Sequence, residues 1–331
     1  MKKALYYILA FALGTSLFAS CEKEDPIGPS LVDLYGPFRI LDSLNHEKSN
    51  GINFKIDSVV QFSGSWSNLA DWKIEIKGRT SGAVKTITGK SKNLDSLEGQ
   101  WNGSADGIFF RKEVCDVVFS FKDYPDSMKT TITIAETRDY SKDGYIIKHF
   151  EGSGPEEFWG GNGNQAKRIS KNDAPEGTNY YYMEGTEGGS AYWIGSFPPV
   201  SAQSIVGKTY FPLNDADTAT TYVNFFVRGY GTANTFINIQ ILEDDNSDGV
   251  YIEASEDSFS YRYQVPTTAT SWQKVSIPLS KLQTEANAAG NSKMEISKIT
   301  SMFVMLFSNG IATSKMACDI DFVIITKGKP L

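Results

Sequence analysis

The residues best equipped for chemistry fall in two neighbouring runs, 221–230 (TYVNFFVRGY) and 234–243 (NTFINIQILE). In the first, Val223, Phe225 and Val227 alternate with Asn224, Phe226, Arg228 and Tyr230. In the second, Ile237, Ile239 and Ile241 alternate with Phe236, Asn238, Gln240 and Leu242. Successive side chains of a strand point to opposite faces. Pairing the two runs would set the aliphatic residues on a core and gather Asn224, Arg228, Tyr230, Asn238 and Gln240 on the other side. Planar amides and guanidinium groups hydrogen-bond paired hydroxyls, and aromatic faces stack on C–H-rich rings. That is the chemistry of sugar recognition, and this face is the first candidate for it. The same pattern also describes an ordinary solvated sheet face. Phe226 on that side calls for a cover, either a ligand or a loop.

Aromatic loops are the second candidate. Trp159 sits in the glycine-rich EEFWGGNGNQ, and Tyr192 and Trp193 are adjacent, so in a strand they point opposite ways. In the run Tyr180-Tyr181-Tyr182 at least one ring faces outward. Such rings serve equally as binding platforms or as caps on a core. Asp244, Asn246, Asp248 and Gly249 match the opening of a calcium loop, but the twelfth position is Ser255, with Glu256 one residue late and no flanking helices. The segment reads as a plain turn, because Asp, Asn and Gly are the residues turns require. Catalysis finds no foothold. The only histidines are His46 and His149, and there is no G-x-S-x-G, H-E-x-x-H or P-loop. With 39 acidic residues, carboxylate pairs are inevitable and carry no information. The expectation is no enzyme and no catalytic cofactor.

Short strands must position these groups. Aromatics make up 13% of the chain and there are 29 glycines, a composition suited to many strands and tight turns. From about Leu34 to Arg138 runs such as DWKIEIKG and KTTITIAET alternate with turn residues, which predicts a small sandwich. Residues 139–144 (DYSKDG) read as a boundary, and some ten further strands follow from Tyr145 to Lys327, as in a jelly roll. One helix is expected near Lys281–Ala289, ended by Gly290. Cys115 and Cys318 read as two separate buried thiols, with a disulfide between them as the alternative. A net charge of −7 argues against nucleic acid as a partner.

At the N-terminus, Lys2 and Lys3 precede an apolar run from Ala4 to Phe18, then Ala19, Ser20 and Cys21. The run is shorter than the roughly twenty residues that span a bilayer, so a secretory signal is favoured over a transmembrane anchor. The arrangement resembles the lipobox of bacterial lipoproteins, and Glu22, Lys23, Glu24 and Asp25 resemble the surface-export tag of Bacteroidetes lipoproteins. The resemblance implies a signal at residues 1–20, lipidation of Cys21, a stalk at 21–32 and an outer-membrane anchor facing the cell exterior.

Within 33–140, W-x-I-x-I-x-G, SGAVKTITG and Gln100-Trp101-Asn102-Gly103 resemble immunoglobulin-like modules of the flagellar-hook-cap type. Within 144–328 the landmarks are Phe150-Glu151, the two runs above, Trp272 to Leu279 in the pattern W-x-x-V-x-I-P-L, and Asp319-Ile320-Asp321 before an apolar run. Their order resembles galactose-binding-like jelly rolls, which include many carbohydrate-binding modules. The implied fold is all-β, an N-terminal immunoglobulin-like sandwich followed by a C-terminal jelly roll. The jelly-roll resemblance also implies one structural Ca²⁺ held by Glu151 and Asp321, with Asp319 as substitute. The implied function is non-catalytic glycan binding by an accessory lipoprotein of a Bacteroidetes glycan-uptake system, with other such lipoproteins as partners. The ligand residues would be Trp159, Trp193, Asn224, Arg228, Tyr230, Asn238 and Gln240. An adhesion or structural lipoprotein with a protein partner is the alternative.

Overall fold

The computed structural model describes residues 36–48, 51–56, 59–95, 98–152, 157–160, 165–186, 192–286, 289–310 and 315–331. The signal, Cys21 and the stalk lie outside them. The first strands are β1 (Ile40–His46), β2 (Ile52–Asn53), β3 (Val60–Gly78), β4 (Val84–Leu94), β5 (Gln100–Trp101), β6 (Val114–Phe121) and β7 (Ser127–Glu136). After the 3-10 turn Tyr140–Lys142 come β8 (Gly144–Lys148), β9 (Trp159–Gly160), β10 (Gln165–Ser170), β11 (Asn179–Thr186), β12 (Trp193–Ser196) and β13 (Val200–Ser201). The rest are β14 (Thr221–Gly229), β15 (Phe236–Glu243), β16 (Ser258–Gln264), β17 (Gln273–Pro278), β18 (Gln283–Thr284), β19 (Ile299–Phe307) and β20 (Lys315–Lys327). The chain is all-β, as its composition and periodicity predict.

The first seven strands form one sheet in the order β1-β3-β6-β7-β2, with β4 and β5 also pairing to β3. Strand β3 buries alternate positions along its whole length. It sends Val60, Phe62, Trp66, Trp72, Ile74 and Ile76 into a core shared with Phe119 and Phe121. The indole N–H groups stay satisfied, as buried tryptophans require. Trp66 donates to the Ser91 carbonyl at 2.8 Å, and Trp72 to the Ser91 hydroxyl at 2.9 Å.

Residues 144–327 build two sheets that pack face to face. One runs β10-β11-β20-β14-β17, with β8 on β20; the other runs β18-β16-β15-β19-β12-β9, with β13 on β19. The runs 221–230 and 234–243 are therefore not partners. Strand β14 pairs with β17 and β20, whereas β15 pairs with β16 and β19. Val223, Phe225 and Val227 meet Ile237, Ile239 and Ile241 in one core. The physical reason is burial: each aliphatic stripe loses most water when it faces a second sheet, and crossing between sheets achieves this for both.

Two smaller expectations also resolve. The predicted helix at 281–289 is instead a 3-10 turn (Leu279–Lys281) followed by β18. Leu279 and Leu282 are drawn into the core, and Gln283 pairs with Ser260 on the open edge of β16, so the sheet edge overrides helix propensity. Cys115 and Cys318 are free, buried thiols, each in its own core.

A third, small cluster joins the two parts. Phe109 stacks on Tyr140 with centroids 3.8 Å apart, and meets Phe226 and Phe322 edge-on at 5.1 and 5.0 Å. The Phe109 amide donates to the Pro175 carbonyl at 2.9 Å. The cover that Phe226 demands is thus a phenylalanine from the first part of the same chain.

Candidate functional site

Register places the candidate side chains on two different surfaces. On the outer face of the β15-containing sheet, Asn238 stands opposite Arg262 and Met305, and Gln240 opposite Ser260 and Phe303. Trp193 stands opposite Phe307, and Trp159 opposite Ser196 on β12. Four expected ligand residues, Trp159, Trp193, Asn238 and Gln240, therefore share one face. Trp159, Tyr192 and Trp193 are 42%, 49% and 41% exposed. Together these three open rings form an apolar patch on one side of the sandwich.

The rings are held in place. Trp159 donates its indole N–H to Glu157 at 2.6 Å and lies 6.3 Å from the Phe303 ring. The exposed Arg262 guanidinium lies over Phe307 at 4.8 Å and Tyr192 at 5.4 Å, a cation–π arrangement. Gln240 donates to the Ser258 hydroxyl at 3.1 Å. Asn238 is fully buried beneath this surface, and its side-chain carbonyl has no hydrogen-bond partner. At the side of the sandwich, between β16 and β17 of the opposite sheet, lies a groove of about 870 Å³, whose walls include Ser260, Arg262, Tyr261, Tyr263, Ile277 and Lys281. Sequence reasoning missed Arg262, Phe303 and Phe307. Arg262 was legible, because Ser258, Ser260, Arg262 and Gln264 alternate with Phe259, Tyr261 and Tyr263. Phe303 and Phe307 were not, because both faces of β19 are apolar.

Asn224, Arg228 and Tyr230 belong to the opposite sheet. Arg228 contacts the buried Asp319 at 2.7 Å, donates to Asp173 at 2.7 Å and to the Tyr180 hydroxyl at 2.8 Å, and lies 4.7 Å from the Trp272 ring centre. Tyr230 donates to Asp319 at 2.9 Å. Burial disfavours the Arg228 charge, but hydrogen bonds to Asp173 and Asp319 outweigh it and raise its pKa. Burial raises Asp319 above the usual carboxylate range despite Arg228. The guanidinium is thus spent on an internal ion pair. Asn224 is fully buried and donates to Thr326 at 2.9 Å. The proposed five-residue face is corrected accordingly: Asn224 and Arg228 hold the opposite sheet together, Tyr230 is exposed there, Gln240 lies on the aromatic face and Asn238 is buried beneath it.

Glu151 and Asp321 do reach one corner, beside Glu176. Glu151 accepts from the Thr178 and Asn179 amides at 2.9 and 2.6 Å, and its other oxygen from the Asn179 side chain at 3.1 Å. Asp321, fully buried, accepts from the amides of Glu176 and Phe322 at 3.0 and 2.8 Å. Burial, and then the charge on Glu151, pushes Glu176 up to about 7. The corner concentrates carboxylates, and one oxygen of Glu176 is buried there with no hydrogen-bond partner. The carboxylate groups whose oxygens converge within 4.8 Å, among the described residues, are Glu243 with Asp245 and Glu295, and Asp244 with Asp248 and Glu256.

Some solved structures are similar to parts of this chain. A family 11 carbohydrate-binding module from Clostridium thermocellum, in complex with a β-1,3-1,4-mixed-linked tetrasaccharide, is 14% identical, over 56% of this chain and 97% of the module, with a TM-score of 0.37. A family 30 module of a cellulosomal cellulase from the same organism is 16% identical, over 56% of this chain and 94% of its own, with a TM-score of 0.32. SGBP-B from a complex xyloglucan utilization locus in Bacteroides uniformis is 13% identical, over 88% of this chain and 73% of its own, with a TM-score of 0.38. No protein-family model and no curated protein matches the sequence.

Proposed function

We propose that this protein is a surface lipoprotein that binds glycan without catalysis, through the outer face of the β15-containing sheet. The observation that carries the reading is the row of exposed rings, Trp159, Tyr192 and Trp193, beside Arg262 and Gln240. Rings of this kind stack on sugar C–H surfaces, while the guanidinium and amide meet hydroxyl pairs. The groove between β16 and β17 gives an extended chain room to continue. The first sheet packs by Phe109 against the opposite sheet, which fits a spacer that leaves the aromatic face open. Lipidation at Cys21 and display on the outer membrane, alongside other glycan-uptake lipoproteins, complete the proposal and rest on the N-terminal pattern.

Affinity electrophoresis against a broad panel of soluble polysaccharides tests it. Retardation by a defined glycan is expected, weakened about tenfold or more (~1.4 kcal/mol) in Trp159→Ala and in Trp193→Ala. Silence across the panel with folded protein would move the reading to a protein partner on the same rings.

A further inference from the structure

The loop between β15 and β16 carries a second chemistry. Its residues leave β15 alternately, so Asp244 goes to one side while Glu243 and Asp245 go to the other. Each side gathers a separate carboxylate group with oxygens within 4.8 Å of one another. The group of Glu243, Asp245 and Glu295 has a built-in cation: the Lys298 ammonium donates to Glu295 at 3.1 Å and to the Asp245 carbonyl at 3.0 Å. The group of Asp244, Asp248 and Glu256 has none, and among the described residues no member of it forms an ion pair with a lysine or arginine.

Asp244 is fully buried and accepts from the Tyr210 hydroxyl and the Gly249 amide, both at 2.6 Å, and from the Asp248 amide at 3.2 Å. Asp248 is exposed and accepts from the Val250 amide at 2.9 Å. Glu256 is 0% exposed. One of its oxygens accepts from the Ile252 amide at 2.5 Å, while the other is buried against Asp244 and receives no hydrogen bond from an N–H or hydroxyl donor. A buried carboxylate oxygen facing two further carboxylates is costly unless a positive charge stands there, either a proton shared between Glu256 and Asp244 or a bound cation.

We propose that Asp244, Asp248 and Glu256 form a binding site for a calcium ion. Three carboxylates on a turn suit a hard cation with oxygen ligands, and chain carbonyls and water can complete a flexible shell of six to eight. Magnesium demands a rigid octahedron and sheds water reluctantly, so calcium is the better fit. Glu256 takes the part that the twelfth residue plays in a helical calcium loop, but is delivered by the approach to β16 rather than by a helix. The bound ion would tie residues 244–256 together at the end of the sheet that bears the exposed rings, and the inference stands whether or not those rings bind glycan.

Tyr210 supplies a local probe, because a phenol bonded to a ligand carboxylate can sensitise terbium held in the same site. The whole chain, stripped with chelator, is titrated with terbium under tyrosine excitation, then with calcium chloride or magnesium chloride as competitor. The expected result is sensitised emission displaced by calcium at sub-millimolar concentration and far less by magnesium, with a rise in the thermal midpoint on adding calcium. Asp248→Asn, at an exposed position, is expected to weaken terbium and calcium binding at least tenfold with an unchanged circular-dichroism spectrum, and Glu256→Gln to do the same. Tyr210→Phe should retain calcium binding by calorimetry but lose most of the emission. Absence of saturable calcium binding would overturn the assignment, as would folded Asp248→Asn protein that binds calcium like the parent chain.

Discussion

Arg228 shows how a residue suited to ligand chemistry can be consumed by the fold. Its side chain is 16% exposed and its partner Asp319 fully buried, so the pair sits where losing one member strands the other. Arg228→Ala is expected to lower stability by about 3–5 kcal/mol, the range for breaking a buried pair, as read from the urea midpoint. Glycan retardation should persist in the variant wherever it remains folded. Loss of retardation with unaltered stability would return Arg228 to the binding site. The aromatic residues behave oppositely: Trp159 and Trp193 carry little of the core, so their alanine variants should keep the midpoint of the parent. Residue types alone could not separate these roles. An arginine reads the same whether a carboxylate or a hydroxyl pair awaits it, and Asp319 lies far from it in sequence.

At the level of elements, period-2 alternation was the dependable signal. It marks β3 along its full length and marks the inward stripes of β14 and β15 correctly. It could not say which strands pair. Adjacent alternating runs pair as a hairpin or face one another across a core, and alternation is the same in both. Close approach between strands offers a test. A Cβ on Gly144 would fall 1.8 Å from the Ile325 carbonyl oxygen, at the point where β8 joins β20. Gly144→Ala is expected to displace the start of β8 at a cost of about 1–3 kcal/mol, as overpacking does. Thermal unfolding and faster amide exchange in residues 145–148 would register it, and an unchanged melting curve would contradict it.

For the whole molecule, the junction at Phe109 decides whether the two parts behave as one body. Truncating a buried phenylalanine costs about 3–5 kcal/mol, and here the loss falls between the parts. Phe109→Ala should split calorimetric unfolding into two transitions; a single transition moved uniformly downward would show that the parts are coupled elsewhere. The carboxylate corner beside this junction sets a pH dependence. Glu176 rises from an ordinary value of 4.5 to about 7, chiefly by burial, so the folded chain keeps a proton that the unfolded chain releases. Between those values stability falls as pH rises, because the native state binds more protons. The urea midpoint should therefore be lower at about pH 8 than at about pH 5. Glu176→Gln should reduce that slope, and the other carboxyls that burial raises, Glu243, Glu256, Asp319 and Asp321, account for what remains. A midpoint that rises with pH would reject this.

By itself the sequence determined the all-β class and the inward stripes, because both depend on composition or on the two-residue repeat of a strand. The tertiary structure decided that β14 and β15 lie in opposite sheets, that Arg228 answers Asp319, that Phe109 covers Phe226, and that Glu256 meets Asp244 and Asp248. These are contacts between distant residues or across a turn. They are selected by which packing buries most apolar surface and leaves fewest charges unpaired, a comparison over whole arrangements that local spacing does not contain.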